Sequence, residues 1–332
     1  MRLNLTHYCE CMKKIKTILM GTSEFAEIVF RKFYPAMRDK IDIIAVVTAP
    51  DKPVGRKQEL LPSPVKKWTV ENNLFILQPE KINSPEWIKK IKEINPELIV
   101  LCAYGQIIPK EILDIPKLGA LNIHPSLLPK HRGASPIQTT ILNGDKEAGI
   151  TIMLMDEKMD HGPILAHSKL QITNSKITYI ELSQQLAELG AKLLIKTLPD
   201  WIDEKIKAQP QDHAKATFTK IIKKEDGKID WNKSAEEIER QIRAYSVWPT
   251  AYTRIMNNKS RIMNLKILEA NVENKNKNHK ISEISLTEDK QLAVQTSNGT
   301  LILKQVQLEG KKPMPVKDFI NGYSEIIGSI LK

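Results

Sequence analysis

The chain is expected to fold as an α/β protein with a parallel sheet, followed by a small antiparallel barrel. Two observations predict this. From residue 15 to about residue 198, short β-branched runs alternate with helix-spaced segments, and after a polar break the pattern becomes one of short strands divided by Asn, Lys and Gly. The length of 332 residues accommodates two cores, since single domains run to roughly 100–200 residues.

Residues 15–20, 41–48, 74–77, 98–103 and 120–124 read as strands because aliphatic residues run through them with little interruption, as buried parallel strands require. Residues 25–34, 85–94 and 134–142 read as helices, and their alternation with the strands gives a Rossmann-like sheet covered on both faces. Residues 150–155 and 164–172 add strands on either side of a glycine turn at Gly162. Residues 177–198 carry Ile180, Leu186, Leu189 and Leu193 at the spacing of a helix packed on the sheet. Residues 205–224 are polar and basic, contain Pro210, and read as an interdomain linker. In residues 234–244 Ser234 is placed to cap a helix, with Glu237 three residues on to reciprocate. Beyond Pro249, runs at 251–255, 262–268, 281–286, 291–296 and 301–308 suggest a small OB-like barrel of about five strands, and 271–280 reads as a solvated loop. The expected domains are an extension at 1–13, a catalytic domain at 14–204, the linker at 205–224 and the barrel at 225–332.

The excess of 50 Lys and Arg over 39 Asp and Glu leaves a formal charge of +11. Such a surplus attracts a polyanion or an anionic cofactor without bearing on the fold. The longest apolar runs fall far short of the roughly 20 residues that cross a bilayer, and the first residues lack the apolar centre of an export signal. With three cysteines, one inside a strand-like run, a reducing cytoplasm is expected. His7, Cys9 and Cys11 lack the closing pair of a metal site, so no metal is expected.

Gly21 to Ala26 (GTSEFA) follows the first strand but lacks the G-x-G-x-x-G spacing of a dinucleotide fingerprint. A bare tight turn and a ligand contact both remain open there. Asn122 and His124 lie two apart on a strand, so their side chains leave the same face. Near the carboxyl end of an inner strand, that face opens on the crevice where α/β sheets bind ligands. In the bland alternative Asn122 ties down a loop, His124 is a hydrogen-bonded core residue and Asp160 fixes the Gly162 turn. The chemical alternative uses all three. Attack of an amine on an acyl carbon puts negative charge on oxygen, and each donor aimed at that oxygen lowers the barrier by roughly 3 kcal/mol. Asn122 offers an NH₂ donor, and the imidazole of His124 suits either donation or proton transfer near neutrality. Asp160 is placed to orient the imidazole or relay a proton. No serine or cysteine occupies a nucleophile elbow, which favours direct transfer over a covalent intermediate, and Cys102 reads as a small buried hydrophobe.

Around these residues, the proline-stiffened loop 125–129 offers the Ser126 hydroxyl and backbone amides to a planar polar ligand. The segment beginning Tyr104-Gly105-Gln106-Ile107 forms an adjoining wall. His131 and Arg132 face either an acid group or an RNA phosphate, with a structural ion pair as the alternative for Arg132. The basic loop 51–62 carries Lys52, Arg56 and Lys57, and the guanidinium fork of Arg56 suits a phosphate or a base edge. Lys304, Lys311 and Lys312 offer a second contact for a long polyanion.

The stretch Gly119 to Gln138 (GALNIHPSLLPKHRGASPIQ), supported by Gly149 to Asp160 (GITIMLMDEKMD), resembles the methionyl-tRNA formyltransferase family, and the likeness runs from about Lys14 to the end. These motifs mark folate-dependent formyltransferases as a class. The acceptor is indicated by the loop 49–65, by Ile229-Asp230-Trp231, by residues 242–249 and by residues 310–316. The resemblance implies catalytic roles for Asn122, His124 and Asp160. It implies folate contacts at Ser126, Leu127, Leu128 and Pro129, with Tyr104, Gln106, Ile107 and Gly162 around them. It further implies tRNA contacts at Lys52, Arg56, Lys57, Arg132, Lys304 and Lys311. The implied reaction moves formyl from 10-formyltetrahydrofolate to the α-amine of methionyl initiator tRNA for bacterial-type translation initiation, in a monomer without metal. The alternatives are formylation of a sugar or nucleotide amine, and an RNA-binding protein without catalysis. Three departures stand out: residues 55–59 lack the family's second glycine and some of its positive charge, which leaves room for fewer or rearranged tRNA contacts; His161 replaces the usual threonine, where it could perturb the titration of Asp160 without replacing it; and the first eleven residues lie outside the pattern.

Overall fold

The computed structural model describes residues 13–54, 58–256, 262–275 and 279–331. In chain order the elements are β1 (Ile15–Gly21), α1 (Glu24–Met37), β2 (Ile41–Val47), β3 (Lys52–Val54), β4 (Glu59–Leu61), α2 (Pro64–Glu71), β5 (Ile76–Leu77), α3 (Pro85–Ile94), β6 (Leu98–Cys102), α4 (Lys110–Leu113), β7 (Ala120–His124), α5 (Pro136–Asn143), β8 (Glu147–Leu154), β9 (Ile164–Gln171), α6 (Tyr179–Ile202), α7 (Ala235–Ala244), β10 (Tyr252–Met256), β11 (Ile262–Glu273), β12 (Ile284–Leu286), β13 (Leu292–Gln295), β14 (Thr300–Leu308), β15 (Met314–Pro315) and α8 (Val316–Gly322). They form two compact units. Among the described residues, the first takes the chain to Pro129, Gly149–Ser168 and Leu186–Lys215, and the second takes Lys130–Ala148, Lys169–Gln185 and Ala216 onward.

The first unit is built on a seven-stranded sheet ordered β5-β2-β1-β6-β7-β8-β9. β5, β2, β1, β6 and β7 pair in parallel, but β8 runs antiparallel to β7, so the sheet is mixed rather than wholly parallel as expected. Residues 125–146 between these two strands are long enough to return the chain in either direction, and buried apolar runs carry no information on direction. Ile18, Met20, Val47, Ile99 and Leu101 pack with Ile91 and Ile112 into an apolar cluster. On one face of β7 and β8, Ile123 and Ile150 lie against Gly190 of α6, where an added Cβ would come within 3.0 Å of Ile123. The other face carries Asn122 and His124.

Two elements of this unit go beyond the sequence reading. The loop 51–62 contains the antiparallel pair β3 and β4, and α2 follows it with Ser63 accepting from the Lys66 amide at 3.0 Å and Pro64 in the first turn. Serine followed by proline is a helix-start signal, hidden here by the adjoining proline-rich loop. Trp68, buried from α2, meets Phe30 and Tyr34 of α1 at ring separations of 6.0 and 6.1 Å.

The second unit has an antiparallel sheet ordered β10-β11-β14-β13-β12, with β15 added to β14. β11 continues to Glu273 and so includes residues expected to lie in a loop. Register shifts against β14 around Glu269 let this twelve-residue strand bend. The reciprocal cap of α7 forms as expected: Ser234 Oγ accepts from Glu237 N at 3.3 Å, and Glu237 Oε2 accepts from Ser234 N at 2.9 Å. Ile238 and Ile242 of α7 join Trp231, Leu265, Ile267, Leu303 and Phe319 in the core.

A cavity of about 450 Å³ in this unit is lined by Glu239, Arg240 and Arg243 among others, and by none of Asn122, His124 or Asp160. Glu239 accepts from both Arg243 Nε and Lys176 Nζ at 2.9 Å, while Arg243 Nη1 donates to Ile177 O at 2.7 Å. Removing one member of a buried ion pair leaves the other uncompensated, at a cost of about 3 kcal/mol. Glu239→Ala is therefore expected to lower stability by about that amount, measured as an earlier urea midpoint at unchanged slope.

Candidate active site

β7 is an inner strand, and its alternation sends Asn122 and His124 to one face, where both are buried at 7% and 4% exposure. Met153 and Thr151 stand opposite them on β8. Asn122 Nδ2 donates to Asp160 Oδ1 at 3.5 Å, and His124 Nδ1 lies 3.5 Å from the same oxygen. The three expected catalytic groups therefore meet at one atom. These contacts are long for hydrogen bonds. Catalytic hydrogen bonds commonly shorten only in the reacting complex.

Asp160 reaches this position from a turn with an unusual backbone. Its φ is +48°, a left-handed conformation that a residue with a Cβ adopts reluctantly. Two residues on, an added Cβ at Gly162 would fall 1.9 Å from Leu154 O. Gly162 is thus demanded by the close return of the turn onto β8, where Leu154 N donates to Pro163 O at 2.9 Å. His161, beside Asp160, has partners of its own. Its Nδ1 pairs with Asp156 Oδ2 at 2.6 Å, and its ring stacks on His213 at 4.0 Å.

The loop after β7 is held by a residue to which the sequence reading assigned no role. Thr151 Oγ1 donates to Ser126 O at 2.7 Å and accepts from Leu128 N at 3.0 Å. Its signal was present as the one hydroxyl in the run Ile150-Thr151-Ile152-Met153, buried at 0% exposure. Leu127 covers Gly149, where a Cβ would meet its Cδ2 at 2.4 Å. Leu128 and Ser126 are buried, and Pro129 closes this part of the unit. Gln211, from the segment expected to be linker, is also buried, and its amide donates to Asp160 O and Gly162 O. No periodic pattern distinguishes it within that polar stretch.

Of the adjoining wall, Tyr104 is buried, its hydroxyl has no hydrogen-bond partner among the described residues, and burial pushes its ionisation far up. Gln106 is engaged by the preceding segment, its Nε2 donating to Pro79 O at 3.1 Å and its Oε1 accepting from Ile82 N at 2.8 Å. Ile107 is 80% exposed. Cys102 is buried and its thiol is likewise pushed up, consistent with a small apolar role.

A formyl transferase family model matches residues 13–198, and a formyl transferase C-terminal domain model matches residues 221–324. A methionyl-tRNA formyltransferase of Methylacidiphilum infernorum is 41% identical over 318 residues, covering 96% of this chain and 98% of its own. Another, of Caldicellulosiruptor saccharolyticus, is 42% identical over 316 residues, covering 95% and 99%. The chain belongs to the methionyl-tRNA formyltransferase family. Its fold is shared more widely. The crystal structure of WlaRD, a sugar 3N-formyl transferase in the presence of dTDP and 5-N-formyl-THF, has a TM-score of 0.61 at 22% identity, covering 90% of this chain and 100% of that one. HypX from Aquifex aeolicus in complex with tetrahydrofolic acid has a TM-score of 0.61 at 14% identity, covering 96% and 48%.

The basic residues for which the formyltransferase resemblance implies tRNA contacts occupy varied settings. Lys52 is exposed on β3, while Arg56 and Lys57 lie outside the described residues. Arg132 is only 3% exposed; its guanidinium lies 6.0 Å from the Phe218 ring, and its backbone pairs with Thr217 and Thr219. His131 Nε2 is 2.8 Å from Asp145 Oδ2. Lys304 pairs with Gln291, and Lys311 and Lys312 are exposed in the turn after β14. His7, Cys9 and Cys11 lie outside the described residues; among those described, no group of three His, Cys, Asp or Glu residues is placed to hold a metal ion.

Because the turn cannot return this closely with a side chain at Gly162, Gly162→Ala is expected to displace Asp160 and remove most formyl transfer. Full activity of the folded variant would show that the turn tolerates the displacement.

Proposed function

We propose that the chain moves the formyl group of 10-formyltetrahydrofolate onto the α-amine of methionine esterified to initiator tRNA. The convergence of Asn122, His124 and Asp160 at one oxygen carries the chemical part of this reading. The full-length identity to enzymes named for methionyl-tRNA supports the acceptor.

The chain's residues suit a folate. Tyr104 offers a buried hydroxyl that has no partner among the described residues, and Ser126–Pro129 form the stiff loop beside His124. With Gly162, Gln106 and Ile107, these residues would hold the folate. The co-substrate brings a formyl carbon bonded to nitrogen N10, and that bond breaks as the new carbon–nitrogen bond forms. Asn122 donates its amide hydrogen to the carbonyl oxygen as negative charge develops there. His124 either donates to the same oxygen or takes the proton lost by the amine, and Asp160 holds the imidazole and stabilises its charged form. The proton count closes when the departing N10 is protonated. No residue of the chain is acylated.

In this reading residues 14–204 perform the chemistry and residues 205–224 join them to residues 225–332, where the antiparallel sheet closes as a small barrel for tRNA. Lys52, Arg56, Lys57, Arg132, Lys304 and Lys311 would contribute positive charge toward the phosphate backbone, in keeping with the formal +11. The enzyme acts as a cytoplasmic monomer. Among the described residues, no helix is long and apolar enough to cross a membrane.

Purified protein with 10-formyltetrahydrofolate is expected to formylate charged initiator tRNA, and to do so far better than charged elongator tRNA or free methionine. Equal use of all three would remove the acceptor assignment, and transfer to a sugar amine instead would replace it. Asn122→Ala and His124→Ala are each expected to lower kcat by at least about tenfold with melting temperature retained. Near-normal turnover of the folded variants would contradict the assigned roles.

A further inference from the structure

The turn that carries Asp160 is gripped by a short extended segment. Gln209 exchanges both backbone hydrogen bonds with Ile164 at 2.7 Å. Gln211 Nε2 donates to Asp160 O at 3.0 Å and to Gly162 O at 2.7 Å. The His213 ring stacks on His161 at 4.0 Å with 6° between the planes. The chain is extended at Gln209 and passes into a single 3-10 turn at His213–Lys215, so the Gln209 backbone, the Gln211 amide and the His213 ring all bear on this part of the fold.

We propose that Gln211 is the positioning residue for Asp160, an inference that rests on the function proposed above. A carboxamide NH₂ has two hydrogens, and the two carbonyls flanking His161 in the turn take both. Gln211 is only 6% exposed, so water does not readily replace it. Its grip spans the residue whose φ is +48° and the glycine packed against Leu154 O. Rotation about that backbone would carry the Asp160 carboxylate away from Asn122 and His124. At 3.5 Å those contacts have little distance left to lose. Glutamate at this position would bring a carboxylate without hydrogens against the carbonyls, and an apolar side chain would leave them unmatched. Gln211 touches no reacting atom and acts through the carboxylate it aims.

The test is a double-mutant cycle on the full chain, read as kcat and KM for 10-formyltetrahydrofolate and charged initiator tRNA. Gln211→Leu is expected to lower kcat by about 10- to 100-fold while each KM stays within about twofold. Placed on Asp160→Asn, the same change should reduce kcat by less than about threefold, because the group it aims is already altered. Gln211→Glu should behave as Gln211→Leu does. An equal loss in both backgrounds would mean that Gln211 serves the fold in general, and an unchanged kcat in folded Gln211→Leu would also overturn the inference. If Gln211→Leu does not fold, Gln211→Met, of similar length and without donors, takes its place in the cycle. Absence of formyl transfer by the unaltered protein would instead defeat the functional reading, which separates that failure from this one.

Discussion

Asp160 Oδ1 stands 3.5 Å from both the Asn122 amide nitrogen and His124 Nδ1, and much of the first unit serves to bring this oxygen there. Two of the three groups require only strand geometry, because alternate residues of β7 share a face. The third comes from a different part of the chain and needs a reversed neighbouring strand, a left-handed residue and a glycine tight against a carbonyl. A carboxylate held in this way has a defined partner for whatever charge the imidazole acquires, the electrostatic preorganisation that acyl transfer demands.

The sequence made the β7 pair readable because a period of two is the simplest of structural codes. It also showed the helix cap at Ser234 and Glu237, since local hydrogen bonding is written in neighbouring residues. What it concealed depends on the third dimension. The direction of β8 is invisible in a buried apolar run. Gln211 lies in a polar stretch whose composition suits a linker, and its importance arises from contacts 49 and 51 residues away. The partners of His161 were likewise hidden, since Asp156 and His213 reach its ring from five residues before it and from a distant polar stretch.

In the second unit the charged residues divide by environment rather than by type. Arg243 and Glu239 neutralise each other away from water, and Arg132 sits beside an aromatic ring, while Lys311 and Lys312 remain in solvent. A net charge of +11 is therefore a poor map of the surface available to a polyanion. Arginines with fixed geometry shape the unit, and the exposed lysines keep their charge in solvent.

Thr151 links two properties that are usually separable. Its hydroxyl ties Ser126 and Leu128 together, and its backbone stands across the strand pair from His124. Sliding β8 by one residue would point this hydroxyl to the opposite side and release the loop at the same moment as it misaligned the histidine's neighbour. A misregistered chain would thus forfeit the anchoring of the 125–129 loop together with the sheet alignment. The fold carries its own proofreading, in which only the correctly threaded strand ties down that loop.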